Sequence, residues 1–321
     1  MKTVLVVIPA QSGHRAKLEA AGEGCTFLYA SPGTVTAEQV AGADVIIGNV
    51  PAALIKASPR LGLLQLNSAG ADDYIKPGIL APKTILANAT GAYGKAVSEH
   101  ALALTLMLIK KLHLYRDEQR KANWADEGRV GSIADSVVAV VGLGDIGLRY
   151  ARMAKALGAY TIGVKRRAGA CPEGVDELYA DDGLDKVLVR ADIIASFLPG
   201  NGATTHLYNE ARFKIMKPSA IFINCGRGGA VDSEALYKAL STGGIASAGL
   251  DVTELEPLPP ESPLWSLKNL VITPHVSGGF HLPETFERIV DIAAENLSAY
   301  LQDRELKNIV DFETGYRKCF F

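Results

Sequence analysis

The chain alternates short, unbroken apolar runs with longer stretches whose apolar residues recur at three- and four-residue steps. Val4–Ile8, Phe27–Tyr29, Val45–Ile47, Leu63–Leu66 and Thr84–Leu86 are runs of the first kind and predict strands. Gln11–Ala21, Ala37–Ala41 and Ala52–Ala57 predict the helical connections between them. Such alternation means βα units and a parallel sheet. After the breaker-rich loop Asn88–Gly94, a thick apolar stripe that includes Ala96, Leu102, Leu106 and Ile109 predicts one long helix from Lys95 to about Gln119, read as the crossing into a second domain.

The rhythm then resumes. Val137–Val141, Tyr160–Val164, Asp192–Phe197, Ala220–Asn224, Ile245–Leu250 and Leu270–Thr273 predict strands. Asp182–Arg190, Asp232–Ser241 and Leu282–Leu301 predict helices, and four prolines make Pro257–Pro263 an extended loop. The tail Leu306–Phe312 has no place in the second sheet and is expected to return to the first domain. The fold class is therefore α/β with two parallel-sheet domains. Residues 1–94 with 284–321 form one, and residues 95–283 the other.

Composition narrows the picture. A length of 321 residues suits two domains of ordinary size. A net charge of −2 gives no broad drive toward nucleic acid or a membrane surface. Cys25, Cys171, Cys225 and Cys319 are scattered, without C-x-x-C or metal spacing, which suits a reducing cytoplasm. Met1–Ala10 is too short for a signal peptide, and the longest apolar helical run, Ala101–Ile109, is well below a membrane span. Trp124 sits in a polar stretch, where it marks a subunit contact or packs on its own domain.

The densest chemistry lies in Ser136–Arg167. The apolar run Val137–Val141 leads straight into Gly142-Leu143-Gly144-Asp145-Ile146-Gly147, a G-x-G-x-x-G. Ile146, Tyr150, Met153 and Leu157 then recur at helical spacing. In this context Gly142 allows the tight turn, Gly144 lets a pyrophosphate approach the backbone, and Gly147 lets the helix pack close to the sheet. The helix that starts at Asp145 and Ile146 points its unpaired N–H groups at the phosphates. A dinucleotide site follows. After the second strand stand Lys165, Arg166 and Arg167, where an acidic residue would bind the ribose hydroxyls of NAD. Guanidinium and ammonium groups suit a 2′-phosphate, so NADP is expected over NAD.

Three polar residues follow other strand ends: Arg227 after Ala220–Ile223, Glu256 after the strand ending at Leu250, and His275 after Leu270–Ile272. All three should gather at the carboxyl edge of the second sheet, where ligands bind in such folds. Arg227 is a permanent cation suited to a carboxylate and a polarised carbonyl. His275 can move a proton near neutral pH, and a carboxylate at Glu256 would orient its ring. Glu254 and Glu261 compete with Glu256 for that part. In the first domain, Asn67–Asp72 lies past a strand end, and backbone N–H groups around Gly70 could hold a small anion.

Together these stretches resemble the D-isomer-specific 2-hydroxyacid dehydrogenases over nearly the whole length. The resemblance is carried by Ala69–Asp72, Gly91–His100, Gly142–Gly147, Asn224–Asp232, Asp251–Pro257 and Thr273–Gly278. It implies a flavodoxin-like substrate domain and a Rossmann NAD(P)-binding domain with a cleft between them, usually in a homodimer. By motif it makes Arg227, Glu256 and His275 the catalytic set and Ala69, Gly70 and Ala71 the substrate-carboxylate loop. It sets Cys225 and Asp251 against the cofactor, Asp251 at the nicotinamide carboxamide. The missing acidic residue after the second strand looks like the glyoxylate and hydroxypyruvate reductases, which favour NADPH. Ser277, Phe280 and His281 depart from the family's commonest wording and would bear on the substrate mouth. The expected reaction is reduction of a small 2-oxo acid to its D-2-hydroxy acid, or the reverse, with no nucleic-acid or membrane partner. An NAD(P)-sensing regulator like the family's corepressors and a short phosphoglycerate dehydrogenase stay open as alternatives. A formate dehydrogenase would carry Gln at position 256.

Overall fold

A computed structural model describes residues 1–56, 58–167, 169–313, 315 and 317. Cys319, and Ala57 at the end of the third helical run, lie outside the described residues. The chain divides into two compact units, Met1–Tyr93 with the chain from Phe280 onward, and Gly94–Gly279.

In the first unit the elements run β1 (Thr3–Val6), α1 (Ser12–Ala21), β2 (Thr26–Tyr29), α2 (Ala37–Gly42), β3 (Val45–Ile47), α3 (Ala52–Ile55), β4 (Leu63–Gln65) and β5 (Ile85–Ala87). The sheet is wholly parallel in the order β2-β1-β3-β4-β5, as the alternating pattern requires. Its interior strands read as continuous apolar runs because both faces are covered: Val45, Ile46 and Ile47 are all buried. The tail comes back to this sheet. Val310 N–H donates to Leu86 O at 2.8 Å, and Ile309 forms an antiparallel bridge with Ala87.

The second unit carries α4 (Gly94–Ile109), α5 (Leu112–Arg120), β6 (Val137–Val141), α6 (Asp145–Ala156), β7 (Tyr160–Val164), β8 (Glu177–Tyr179), α7 (Leu184–Arg190), β9 (Ile193–Ser196), α8 (Glu210–Ile215), β10 (Ile221–Asn224), α9 (Ser233–Ser241), β11 (Ser247–Leu250) and β12 (Leu270–Ile272). The last helix of the chain, α10 (Pro283–Leu301), belongs to the first unit, where Val290, Ala293 and Leu297 share a core with Leu18 of α1. The second sheet is also parallel, in the order β12-β11-β10-β9-β6-β7-β8. From β6 the chain winds outward through β7 and β8, then returns to add β9 on the other side. That reversal puts a topological switch point between β6 and β9, where such sheets bind ligands.

Two details correct the reading of periodicity. The helix expected from Lys95 to about Gln119 is two helices. Lys111 takes a left-handed conformation (φ 55°) and breaks it. The Lys110 ammonium bonds Gly131 O at 2.7 Å and that of Lys111 bonds Glu127 O, so both side chains are drawn off the helix axis. The apolar stripe also ends there: α4 buries Val97, Ala101, Leu104 and Leu108, whereas α5 buries nothing. The strand β8 (Glu-Leu-Tyr) and helix α8 (Glu-Ala-Arg-Phe-Lys-Ile) escape the pattern because neither has a continuous apolar run or more than one apolar turn to mark it.

Candidate functional site

The glycines of the fingerprint meet the demands read from their spacing. Gly142 lies at φ 97°, and a Cβ there would stand 2.9 Å from Phe197 O. At Gly147 a Cβ would stand 2.1 Å from Gly142 O, so the first turn of α6 can lie against the loop only without a side chain. Gly144 is the opposite case: no heavy atom comes within 4 Å of where its Cβ would be. That open space faces the start of α6, which has no side-chain cap, and its first-turn N–H groups at Asp145, Ile146 and Gly147 remain available to an anion. Asp145 turns its carboxylate onto Arg149 Nε at 3.0 Å. Lys165, Arg166 and Arg167 leave the carboxyl end of β7, the strand beside β6, and no carboxylate stands among them. The loop therefore fits a dinucleotide.

Arg227, Glu256 and His275 leave the carboxyl ends of β10, β11 and β12, three adjacent strands. His275 Nδ1 meets Glu256 Oε2 at 2.7 Å. The other carboxylate oxygen accepts the Thr253 N–H at 3.1 Å, which fixes its rotation. The pairing leaves Nε2 as the ring nitrogen with no partner among the described residues. Half of the imidazole surface is open to solvent. Of the two competing carboxylates, Glu254 is accounted for elsewhere: it accepts from His206 Nε2 at 2.5 Å and from Ser233 N–H at 3.1 Å, and these bonds hold its carboxyl below the usual range against the opposing effect of burial.

The loop bearing Arg227 sits close on the Glu256 loop. A Cβ at Gly228 would fall 1.8 Å from Thr253 O, a contact only glycine allows. Asn224 ties the turn by donating from Nδ2 to Arg227 O at 3.0 Å and accepting Gly226 N–H at 3.1 Å. Cys225 is buried just past β10, and burial pushes its thiol up, so it is an unreactive packing group.

Asp251 holds the histidine loop. Its side chain is 1% exposed. Oδ1 accepts from Thr273 Oγ1 at 2.7 Å, Val276 N–H at 3.0 Å and Ser277 N–H at 3.2 Å. Oδ2 accepts the Ser277 hydroxyl, and the Asp251 carbonyl accepts His275 N–H at 2.7 Å. His275 itself sits in the left-handed region at φ 53°, a conformation that persists only where surrounding bonds over-determine it. Ser277 is thus buried, with its hydroxyl committed to Asp251. His100, on α4, reaches the same group through Thr273 Oγ1 at 3.0 Å, a contact that spacing did not suggest.

In the first unit, Ala69, Gly70 and Ala71 follow β4. Three asparagines surround them, each within two residues of a strand end: Asn49 after β3, Asn67 after β4 and Asn88 after β5. Their strand-end placement was the one signal available in the sequence. No described helix is long and apolar enough to cross a membrane.

A family model for the D-isomer specific 2-hydroxyacid dehydrogenase NAD binding domain matches residues 102–277. Glyoxylate/hydroxypyruvate reductase B of Klebsiella pneumoniae is 33% identical over 293 residues, covering 87% of this chain and 89% of that protein. A family member from Aeromonas salmonicida superposes with a TM-score of 0.85 at 30% identity, covering 97% of this chain and 99% of the other. An NADPH-dependent glyoxylate/hydroxypyruvate reductase from Sinorhizobium meliloti, solved with NADP and sulfate, gives 0.83 at 27% identity, covering 98% and 100%. With more than half of its length matched by the family model and full-length relatives above 30% identity, this chain belongs to the D-isomer specific 2-hydroxyacid dehydrogenases, NAD(P)-dependent oxidoreductases of small 2-oxo and 2-hydroxy acids.

Proposed function

We propose that the chain reduces glyoxylate, hydroxypyruvate or a close analogue to the D-2-hydroxy acid, with NADPH preferred to NADH, in the cytoplasm and as a homodimer. The observation that carries the reading is the His275–Glu256 pair, with Nε2 left open and Arg227 on the next strand end but one. The unit Gly94–Gly279 is the NAD(P)-binding domain in this reading, and the other unit is the substrate domain. Bound NADPH supplies the hydride for the carbonyl carbon. His275 protonates the developing alkoxide from Nε2, because Nδ1 is committed to Glu256. Glu256 stabilises the imidazolium and fixes its plane. Arg227 polarises the carbonyl and binds the carboxylate with its planar fork. The N–H groups of Ala69, Gly70 and Ala71 take the carboxylate oxygens. Asp251 stands at the family's carboxamide-contact position, and the oxygens that would meet the carboxamide are those that hold the His275 loop.

NADPH preference rests on Lys165, Arg166 and Arg167, and the Klebsiella pneumoniae and Sinorhizobium meliloti relatives are glyoxylate/hydroxypyruvate reductases, the latter NADPH-dependent. Oxidation of NADPH with glyoxylate and hydroxypyruvate tests the reading directly; inertness toward a panel of 2-oxo acids removes it. The double variant Arg166→Ser/Arg167→Ser is expected to raise the KM for NADPH by about 10- to 100-fold, as loss of charge-assisted bonds to a phosphate does, with little change for NADH. Equal KM values for the two cofactors in the parent enzyme would exclude the preference.

A homodimer is supported by the segment after α4. Trp124 is fully exposed, Leu112 and Val130 are about half exposed, and α5 buries no residue. An aromatic anchor without packing on its own unit is the usual mark of an interface. Trp124→Asp is expected to move the protein from dimer to monomer in size-exclusion chromatography with light scattering. A monomeric parent, or a variant that stays dimeric, rules this segment out.

A further inference from the structure

We infer that Asn88 and Ser68 are positioning residues for substrate binding: they hold the carbonyls of Ala69 and Gly70 inward so that the N–H groups of Gly70 and Ala71 join that of Ala69 in facing a carboxylate. The inference rests on the reading of Ala69–Ala71 as the carboxylate loop. A trans peptide is planar, so its C=O and the next residue's N–H point in opposite directions. Three successive carbonyls in this loop are pinned by donors from within the first unit. Ser68 O accepts Ala89 N–H at 2.9 Å, Ala69 O accepts Asn88 Nδ2 at 2.8 Å, and Gly70 O accepts the Ser68 hydroxyl at 2.6 Å. The N–H groups of Ala69, Gly70 and Ala71 therefore all turn away from those donors. None of them donates to an acceptor among the described residues, although Ala71 is only 2% exposed. A buried N–H is almost always paired, so the Ala71 N–H without a protein acceptor, beside two half-buried N–H groups also without one, is a place prepared for an anion.

The braces are themselves fixed. Asn88 is 2% exposed, its Oδ1 accepts Thr90 N–H at 3.1 Å, and its N–H donates to Asn308 O at 3.1 Å. Ser68 Oγ accepts Asn49 Nδ2 at 3.0 Å, which commits its own proton to Gly70 O. Asn49 and Asn67 lock the two strand ends together by reciprocal bonds: Asn49 N–H to Asn67 Oδ1 at 2.7 Å and Asn67 N–H to Asn49 Oδ1 at 3.1 Å. Tyr93 OH donates to Asn67 O. The hydroxyl proton of Ser68 is committed to Gly70 O, and Asn88, 2% exposed, donates from Nδ2 to Ala69 O and accepts Thr90 N–H at Oδ1, so both braces are tied to the backbone. They act through the peptide planes.

The test is steady-state kinetics with glyoxylate on Asn88→Leu and Ser68→Ala, with NADPH binding followed by fluorescence. Losing one buried donor should raise the KM for glyoxylate about 10-fold in each variant. kcat at saturation and the Kd for NADPH should stay near the parent values, a split that general damage to the unit would not produce. Should Asn88→Leu fail to fold, Ser68→Ala decides alone. Ala71→Pro, which deletes one of the N–H groups, separates the two levels of the argument. If Ala71→Pro raises the KM and the brace variants do not, the inference is overturned while the carboxylate loop stands. If none of the three changes the KM, the carboxylate-loop reading itself goes. A brace variant that lowers kcat as strongly as it raises KM, or that weakens NADPH equally, also overturns it.

Discussion

Replacing His275 with alanine is expected to remove most of kcat, by a factor of about 10²–10⁴, while NADPH binding stays nearly unchanged. The factor is that of a positioned general acid. Two features of the site make His275 the group that supplies it. Its Nδ1 is held by Glu256 at 2.7 Å, so the atom left to give a proton is Nε2, and the backbone beneath it is fixed by the His275 N–H, shared between Asp251 O and Thr273 O at 2.7 and 2.9 Å. The cofactor loop at Gly142–Gly147 is built from other strands, so the substitution leaves it intact. Stopped-flow NADPH oxidation with saturating 2-oxo acid, alongside a binding titration of NADPH, checks both halves. Turnover that survives unchanged would mean the acid lies elsewhere. Loss of NADPH binding with loss of turnover would mean that the loop, not the proton, was removed.

Most of the architecture was legible in the sequence because parallel strands buried on both faces have no alternation to misread. Val45–Ile47 and Val137–Val141 stand where their apolar runs put them. The Gly142–Gly147 turn was legible for a different reason: each glycine answers a separate steric demand, and the contacts a Cβ would make at Gly142 and Gly147 are those demands in ångströms. The break at Lys111 was not legible, since nothing in a run of good helix formers announces a left-handed residue whose side chain bonds a distant carbonyl, Glu127 O. The choice between Glu254 and Glu256 was equally closed to spacing. Two carboxylates two residues apart differ only in which histidine the fold brings, His206 for one and His275 for the other. The asparagines around Ala69–Ala71 were hidden because their partners come from three different strand ends.

Asp251 shows the same limit from the side of stability, and Asp251→Ala is expected to cost about 3 kcal/mol or more of unfolding free energy together with nearly all activity. The carboxylate is 1% exposed and is the acceptor for the Thr273 hydroxyl, the Val276 and Ser277 N–H groups and the Ser277 hydroxyl. Removing it strands those donors where water has little access, and each unpaired buried donor costs on the order of 1–3 kcal/mol. The loop would relax to recover water, which releases His275 from its left-handed conformation at φ 53°. Once the backbone turns, Nδ1 leaves Glu256, and the loss of kcat should approach that of His275→Ala. Ser277→Ala removes one donor with its acceptor left satisfied by others, so its destabilisation should be smaller, about 1 kcal/mol. Urea unfolding of the parent and both variants, read with kcat, orders these effects. A parent-like unfolding midpoint for Asp251→Ala would show that the loop keeps its shape without the carboxylate, and its bearing on activity would then have to come through the cofactor.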